Sequence, residues 1–269
     1  MRSERRVVRI ADMDFGVTAS VNENSTAATF VLIHGIGTSH RYMARLHERL
    51  AAHGSAYSID LPGFGGMPKP AVSPNIAVMA RALGELLAEL GIQRAVLIGH
   101  SMGCQWVVEL AAQRGPLASS VVLIGPVADD QHRSLLAQSM ALGRDILREP
   151  IDANASVLVD YLRCGPAWYA GQLRKMLAYP LERRVAMLTM PVLIMRGGTD
   201  PIAGLAWCKR LRDSAQTGTL VGIPGHRHVV QYSAAHAVSS AIRAHSAAVV
   251  ERDVDAVGVG EGERTRSEA

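Results

Sequence analysis

Four short apolar runs constrain the fold most: Phe30–Ile33, Ala95–Ile98, Val121–Ile124 and Val192–Met195. Each is too brief for a stable helix and lacks the polar alternation of a half-buried strand. Each therefore reads as a strand covered on both faces, the condition of a parallel sheet. Helical patterns lie between them. After Pro74, the residues Ile76, Met79, Leu83, Leu86, Leu87 and Leu90 recur at helical spacing, and Gly91 stands where a helix would stop. Strand and helix alternating through Leu123 predict right-handed crossovers, with helices on both faces of a mostly parallel sheet. Val7–Val21 reads as a leading antiparallel hairpin, and Ser55–Ile59 and Thr219–Ile223 as strands with weaker patterns.

Residues 128–186 break the alternation, because the stretch is long, helix-prone and without a strand before Pro191. It reads as a helical insertion between two halves of one core, 1–127 and 187–250. From Glu251 onward Gly, Glu, Arg and Ser prevail without apolar periodicity, which predicts a disordered tail over 251–269. With 269 residues, 48% of them hydrophobic, the chain has material for one large core. Its net charge of +4 is spread without a long basic run, so nucleic acid is not the expected partner. Cys104, Cys164 and Cys208 have no paired spacing, which supports neither a disulfide framework nor a zinc site. The charged N-terminus and the lack of any stretch near ~20 apolar residues predict a cytoplasmic protein that does not engage a membrane. A monomer or homodimer is expected.

The chemistry centres on Gly99-His100-Ser101-Met102-Gly103, a G-x-S-x-G sequence between the run ending at Ile98 and a helical pattern from Cys104 to Ala112. A serine on a strained strand-to-helix turn projects its hydroxyl at the sheet edge, and the helix start aims backbone donors at a developing oxyanion. The run ending at Ile33 leads into His34-Gly35-Ile36-Gly37, a turn that can bring a second backbone N–H to the same oxygen. Serine is a weak nucleophile by itself and needs a base, which in turn needs an orienting acid. Asp200 lies on the turn after Val192–Met195, and His226 and His228 lie on the turn after Thr219–Ile223. Such strand ends are where open α/β sheets bind ligands, so the three loops can converge. Asp129 and Asp130, after the strand ending at Ile124, are alternative acids. There is no Walker A, dinucleotide or H-E-x-x-H motif, so no cofactor and no metal are expected.

These residues resemble the α/β-hydrolase superfamily over nearly the whole chain, from Phe30 to about His245. His34-Gly35 is similar to that family's oxyanion turn, Asp60 to Gly65 to its loop after the fourth strand, and Gly99–Gly103 to its elbow. Gly197 to Asp200 resembles the acid turn and Gly225 to His228 the histidine turn. The resemblance implies an eight-stranded, mostly parallel sheet with a helical cap insertion. It further implies Ser101 as nucleophile, His228 as base, Asp200 as acid, and backbone N–H groups of Ile36 and Met102 at the oxyanion, with His226 a solvated turn residue. His34, Gly35, Phe64 and His100 are then candidates around the substrate. Trp168 and Tyr169 either hold the insertion together or line its pocket. Arg163, Arg174 and Lys175 of the insertion either meet a substrate carboxylate or only water. The implied activity is cofactor-independent hydrolysis of a small-molecule ester, thioester, lactone or activated ketone. Perhydrolase or acyltransferase chemistry uses the same residues, and a non-catalytic ligand-binding protein on this fold is the alternative from another class.

Overall fold

A computed structural model describes residues 3–23, 27–129 and 159–267, with side chains as far as Glu251. Eight strands form one sheet: β1 (Glu4–Ile10), β2 (Met13–Ser20), β3 (Ala28–Ile33), β4 (Gly54–Asp60), β5 (Ala95–His100), β6 (Ala118–Ile124), β7 (Val192–Gly197) and β8 (Gly218–Ile223). Their spatial order is β1-β2-β4-β3-β5-β6-β7-β8. The β1–β2 and β2–β4 pairs are antiparallel, and the five pairs from β4–β3 to β7–β8 are parallel. The four apolar runs fall within β3, β5, β6 and β7, the predicted hairpin is β1–β2, and the two weaker candidates are β4 and β8.

Why the runs lack alternation is visible in the packing. Val31, Ile33, Leu97, Val121, Leu123, Val192 and Ile194 face one core. Their neighbours Phe30, Leu32, Val96, Ile98, Val122, Ile124, Leu193 and Met195 face the other. Successive strand residues point to opposite faces, and here both faces are dry. Helices α2 (Ile76–Glu89) and α3 (Gly103–Gln113) cover the first face. Helix α1 (His40–Ala51) covers the second through Met43, Leu46 and Leu50. Helix α2 begins as its sequence predicts, with the Asn75 side chain accepting a hydrogen bond from the Val78 amide at 2.9 Å, and Gly91 follows it at φ +73°.

Of the expected insertion, residues 130–158 lie outside the described residues. Residues 159–164 are helical, followed by α4 (Pro166–Ala178) and α5 (Leu181–Val185). Its return to the core is clamped to α3. Arg184 grips Glu109 with two parallel bonds, Nε to Oε2 at 2.8 Å and Nη2 to Oε1 at 2.7 Å, and the Tyr179 hydroxyl donates to Oε2 at 2.8 Å. Glu109 is buried, and burial would raise its carboxyl pKa. Hydrogen bonds from Gln113, Arg184 and Tyr179 outweigh that and hold it below the ordinary carboxylate range. Replacing Arg184 by Met should lower stability by about 2 kcal/mol, since Glu109 would keep a buried charge with fewer donors. Urea unfolding of Arg184→Met checks this, and an unchanged midpoint would show that Tyr179 and Gln113 suffice.

Beyond β7 come α6 (Leu205–Ser214), the short α7 (Val230–Ser233) and α8 (Ala235–Ser267). Val238 and Ile242 of α8 pack beside α1. Backbone helix continues to Ser267, where composition alone predicts a disordered tail. Gly258, Gly260 and Gly262 make this stretch a poor helix former, so its helical backbone continues the ladder begun in the part of α8 that is docked on the core and does not reflect a preference of its own residues. No helix among the described residues is long and apolar enough to cross a membrane.

Candidate active site

Strand order brings the motifs together. β3 and β5 are neighbours, with Ile33 opposite Gly99, so the turns that follow them, His34–Gly37 and the elbow at Ser101, emerge side by side. β3 also marks the point where strand order reverses, the place where open α/β sheets leave a crevice. A Cβ on Gly35 would stand 3.0 Å from the Ser101 Cβ, so a glycine is what lets the two turns touch.

Ser101 sits at φ +56°, a left-handed conformation uncommon for any residue but glycine. Its amide donates to the Ile124 carbonyl of β6 at 2.9 Å. The flanking glycines hold the turn: a Cβ on Gly99 would lie 2.4 Å from the Gly103 backbone, and one on Gly103 2.4 Å from the Ile33 carbonyl oxygen. Helix α3 starts immediately, with Met102 as its N-cap residue. A strained serine in front of a helix N-terminus, against a strand-end glycine, is the geometry that activates and serves a nucleophile.

The acid and histidine turns are neighbours for the same reason, because β7 pairs with β8 and Gly197 stands opposite Ile223. The Thr199 amide and hydroxyl both donate to the His226 carbonyl at 3.0 Å, and the Gly198 amide donates to the Ile223 carbonyl at 2.7 Å. His228 Nδ1 lies 3.0 Å from Asp200 Oδ2. The other carboxylate oxygen accepts the Ile202 and Ala203 amides at 2.8 and 2.9 Å. Burial would raise the Asp200 pKa. The adjacent His228, its hydrogen bond and the two amides outweigh that and hold the carboxyl below its ordinary value. Asp200 is thus an ionised, fixed acceptor that selects the Nδ1–H tautomer of His228.

The imidazole of His228 lies over the end of β6. A Cβ on Gly125 would stand 2.9 Å from its Cε1 and 3.0 Å from its Nδ1. Gly125 follows Ile124, whose carbonyl holds the Ser101 amide, so one strand end carries both the serine turn and the floor beneath the imidazole. Ser101, Asp200 and His228 are all buried. His226 is turned elsewhere, its Nδ1 2.9 Å from the Ser233 hydroxyl. Asp129 forms an ion pair with Arg210, and Asp130 lies outside the described residues.

The remaining predicted residues divide. His34 is fully buried and uses both ring nitrogens on backbone: Nδ1–H donates to the Gly35 carbonyl at 2.7 Å and Nε2 accepts the Leu61 amide at 3.1 Å. It ties the turn after β3 to the loop after β4 and has no ring nitrogen left for a ligand. Phe64 is buried edge-on against His34, Trp106 and Trp168. Trp168 lies against Gly63, where an added Cβ would meet its ring at 2.4 Å, and Tyr161 lies against Gly37. Tyr169 meets Tyr161 edge-on with ring centroids 5.4 Å apart. These aromatic residues therefore rest on the turns after β3 and β4, the first of which adjoins the serine turn. Ile36 is buried beside them. Lys175 is engaged by Ser73, donating to its carbonyl at 2.7 Å.

Two contributors were missed in the sequence. Gly125 has φ +56° and makes room for the imidazole; its only sequence mark is a Gly-Pro step after an apolar run. Arg196 is buried and laces the acid turn, donating to the carbonyls of Ala203 at 2.7 Å and of Gly198 and Asp200 at 3.0 Å. An arginine ending an otherwise apolar strand is the signal that could have found it. Among the described residues no group of His, Cys, Asp and Glu is arranged to hold a metal.

Sheet order, a left-handed serine between strand and helix, and an imidazole–carboxylate couple on the last two strand ends together describe a doubly wound fold with a strand–turn–helix serine elbow at its switch point. The sequence matches the model of the alpha/beta hydrolase family over residues 30–241, and the chain belongs to that family. A 2-(acetamidomethylene)succinate hydrolase of Mesorhizobium japonicum is 27% identical over 249 residues, spanning 81% of this chain and 88% of that protein. An uncharacterized protein of Mycobacterium tuberculosis is 30% identical over 126 residues; the match covers 45% of this chain and only 37% of that relative's length. Among solved structures, a thermophilic esterase from Thermogutta terrifontis superposes with a TM-score of 0.75 at 18% identity, over 93% of this chain and 99% of the esterase. An enol-lactonase from Burkholderia xenovorans gives 0.74 at 19% identity, over 88% and 98%. Both likenesses are likenesses of fold.

Proposed function

We propose that this chain is a serine hydrolase acting on a small-molecule carboxylic ester, thioester or lactone. The observation that carries the reading is the ionised Asp200 bonded to His228, seated over the same strand end that holds the strained Ser101. In the proposed reaction His228 takes the Ser101 proton at Nε2 while Oγ attacks the substrate carbonyl. Backbone N–H groups of Ile36 and Met102 receive the negative charge on the tetrahedral oxygen. The imidazolium, stabilised by Asp200, then protonates the leaving alcohol, thiol or ring oxygen as the bond to carbon breaks. Water, deprotonated by the same imidazole, releases the acyl group and restores the serine.

Residues 128–186 are proposed to act as a cap. The support is that Tyr161 of this stretch rests on Gly37, in the turn beside that of Ser101, and Trp168 on Gly63, in the loop after β4. The similar proteins, a 2-(acetamidomethylene)succinate hydrolase, an esterase and an enol-lactonase, are in keeping with acyl hydrolysis and leave the acyl group open.

Folded protein incubated with a fluorophosphonate probe should be labelled at Ser101, with labelling lost in Ser101→Ala, and p-nitrophenyl esters of short chain length should be cleaved. Absence of labelling in folded protein that still binds ester-shaped ligands would replace this reading with one of binding alone.

A further inference from the structure

His100, the last residue of β5 and the immediate neighbour of Ser101, is buried and in contact with the loop that carries His228. Its Nε2 lies 3.1 Å from the His228 carbonyl oxygen, and the two imidazole centroids are 5.0 Å apart. A carbonyl only accepts, so Nε2 carries the hydrogen and Nδ1 is bare. That Nδ1 is buried without a hydrogen-bond partner, close to Gly35. A bare, buried nitrogen is a cost that simple space-filling does not require, since an apolar side chain of similar size would avoid it. Burial, with His228 alongside, pushes the His100 pKa down to about 3, so the ring remains a neutral donor at ordinary pH.

The His228 loop has other supports. At its start, Thr199 holds the His226 carbonyl. At its end, α7 rests on α1 through Tyr42 and Tyr232, stacked with centroids 6.3 Å apart, and Tyr42 also meets the His100 ring edge-on at 5.5 Å. These contacts fix the loop relative to β7 and α1. His100 differs in reaching the peptide of His228 itself, from the residue adjoining Ser101.

We infer that His100 is a positioning residue for the base: its Nε2–H pins the His228 peptide to the end of β5, so that the spacing between serine and imidazole is set at one strand end. The inference rests on the serine-hydrolase reading, with Ser101 as nucleophile and His228 as base. A displacement of about 1 Å in such a pair is enough to lower turnover ~10²-fold.

Three variants separate positioning from packing. Gln places its amide nitrogen near the Nε2 position, Asn reaches only as far as Nδ1, and Leu fills the space without a donor. His100→Asn and His100→Leu should lose roughly 10- to 100-fold in kcat for a p-nitrophenyl ester with KM little changed, whereas His100→Gln should recover most of the loss. Independently of turnover, the downfield proton resonance of His228 Nδ1–H in its bond to Asp200 should shift or broaden in the Asn and Leu variants and stay native-like in Gln. An unchanged resonance in folded His100→Asn, or a Gln variant as impaired as Asn, would overturn the inference. The resonance decides even if the protein proves to cleave no ester, and if Leu fails to fold, the Asn and Gln pair decides alone.

Discussion

Replacing His228 by Ala is expected to lower kcat/KM for a p-nitrophenyl ester by roughly 10⁴-fold or more, and replacing Ser101 by Ala by a similar factor. The double variant should be hardly worse than either single one, because nucleophile and base act as a unit and removing one leaves the other without a task. His226→Ala should be nearly neutral, since that ring is bonded to the Ser233 hydroxyl on α7. Asp200→Asn should fall about 10²- to 10⁴-fold while the protein stays folded. An amide can still accept the Ile202 and Ala203 N–H groups, but it does not stabilise an imidazolium. Steady-state kinetics on the four single variants and the double variant checks the set. Near-normal turnover in His228→Ala with loss in His226→Ala would reassign the base.

That two histidines compete in one turn shows what the sequence can and cannot say about this site. Pro224-Gly225-His226-Arg227-His228 puts both imidazoles within reach of a strand end, and composition does not choose between them. Resemblance to a family pattern chooses His228, and the geometry gives a reason: the turn is stitched to Thr199 through the His226 carbonyl, which leaves the His228 ring over Gly125 and against Asp200. The strands were legible because both of their faces are buried, which makes a run of four apolar residues unambiguous. The hairpin and the edge strand β8 were fainter, because an edge is half solvated and its pattern mixes polar with apolar residues. Gly125 and Arg196 were not legible as site residues. Gly125 is singled out by His228, a neighbour distant in sequence, and that pairing exists only once β6, β7 and β8 lie side by side. Arg196 is singled out by backbone carbonyls of the turn directly after it, which only the folded turn aims at its guanidinium. His34 and His100 were visible as candidates around a substrate. Their partners are peptide groups, however, and no pattern of residue types announces a bond to backbone.

Mild acid should destabilise the fold well before its carboxylates titrate, and the reason lies in buried histidines. His34, His47 and His100 are all held neutral. Burial lowers the pKa of each, to about 4 for His47 and about 3 for His100, with the Asp60 charge and the Gly35 carbonyl only partly offsetting the effect at His34. His47 bridges two hydroxyls, Ser58 on Nδ1 at 2.9 Å and Ser20 on Nε2 at 3.0 Å, between α1 and the β2–β4 pair. In the unfolded chain a histidine titrates near ~6.5. As pH falls below that value the unfolded state binds protons that the folded state refuses, so unfolding is favoured progressively, and the slope ends only when the folded-state pKa is reached. Stability is therefore full above about pH 7 and should decline between roughly pH 6.5 and 4 by several kcal/mol in total. The buried carboxylates Asp60, Asp200 and Glu109, whose pKa values are lowered, act in the same direction at still lower pH, where unfolded Asp and Glu begin to take up protons. Urea midpoints measured at half-unit steps from pH 7.5 to 4.5 should fall steadily. Replacing His47 by Asn, which cannot charge, should make that decline shallower over its whole range from about pH 6.5 to 4, even if it reduces stability at neutral pH. A midpoint independent of pH across this range would mean that the three imidazoles gain protons as readily inside the fold as outside it.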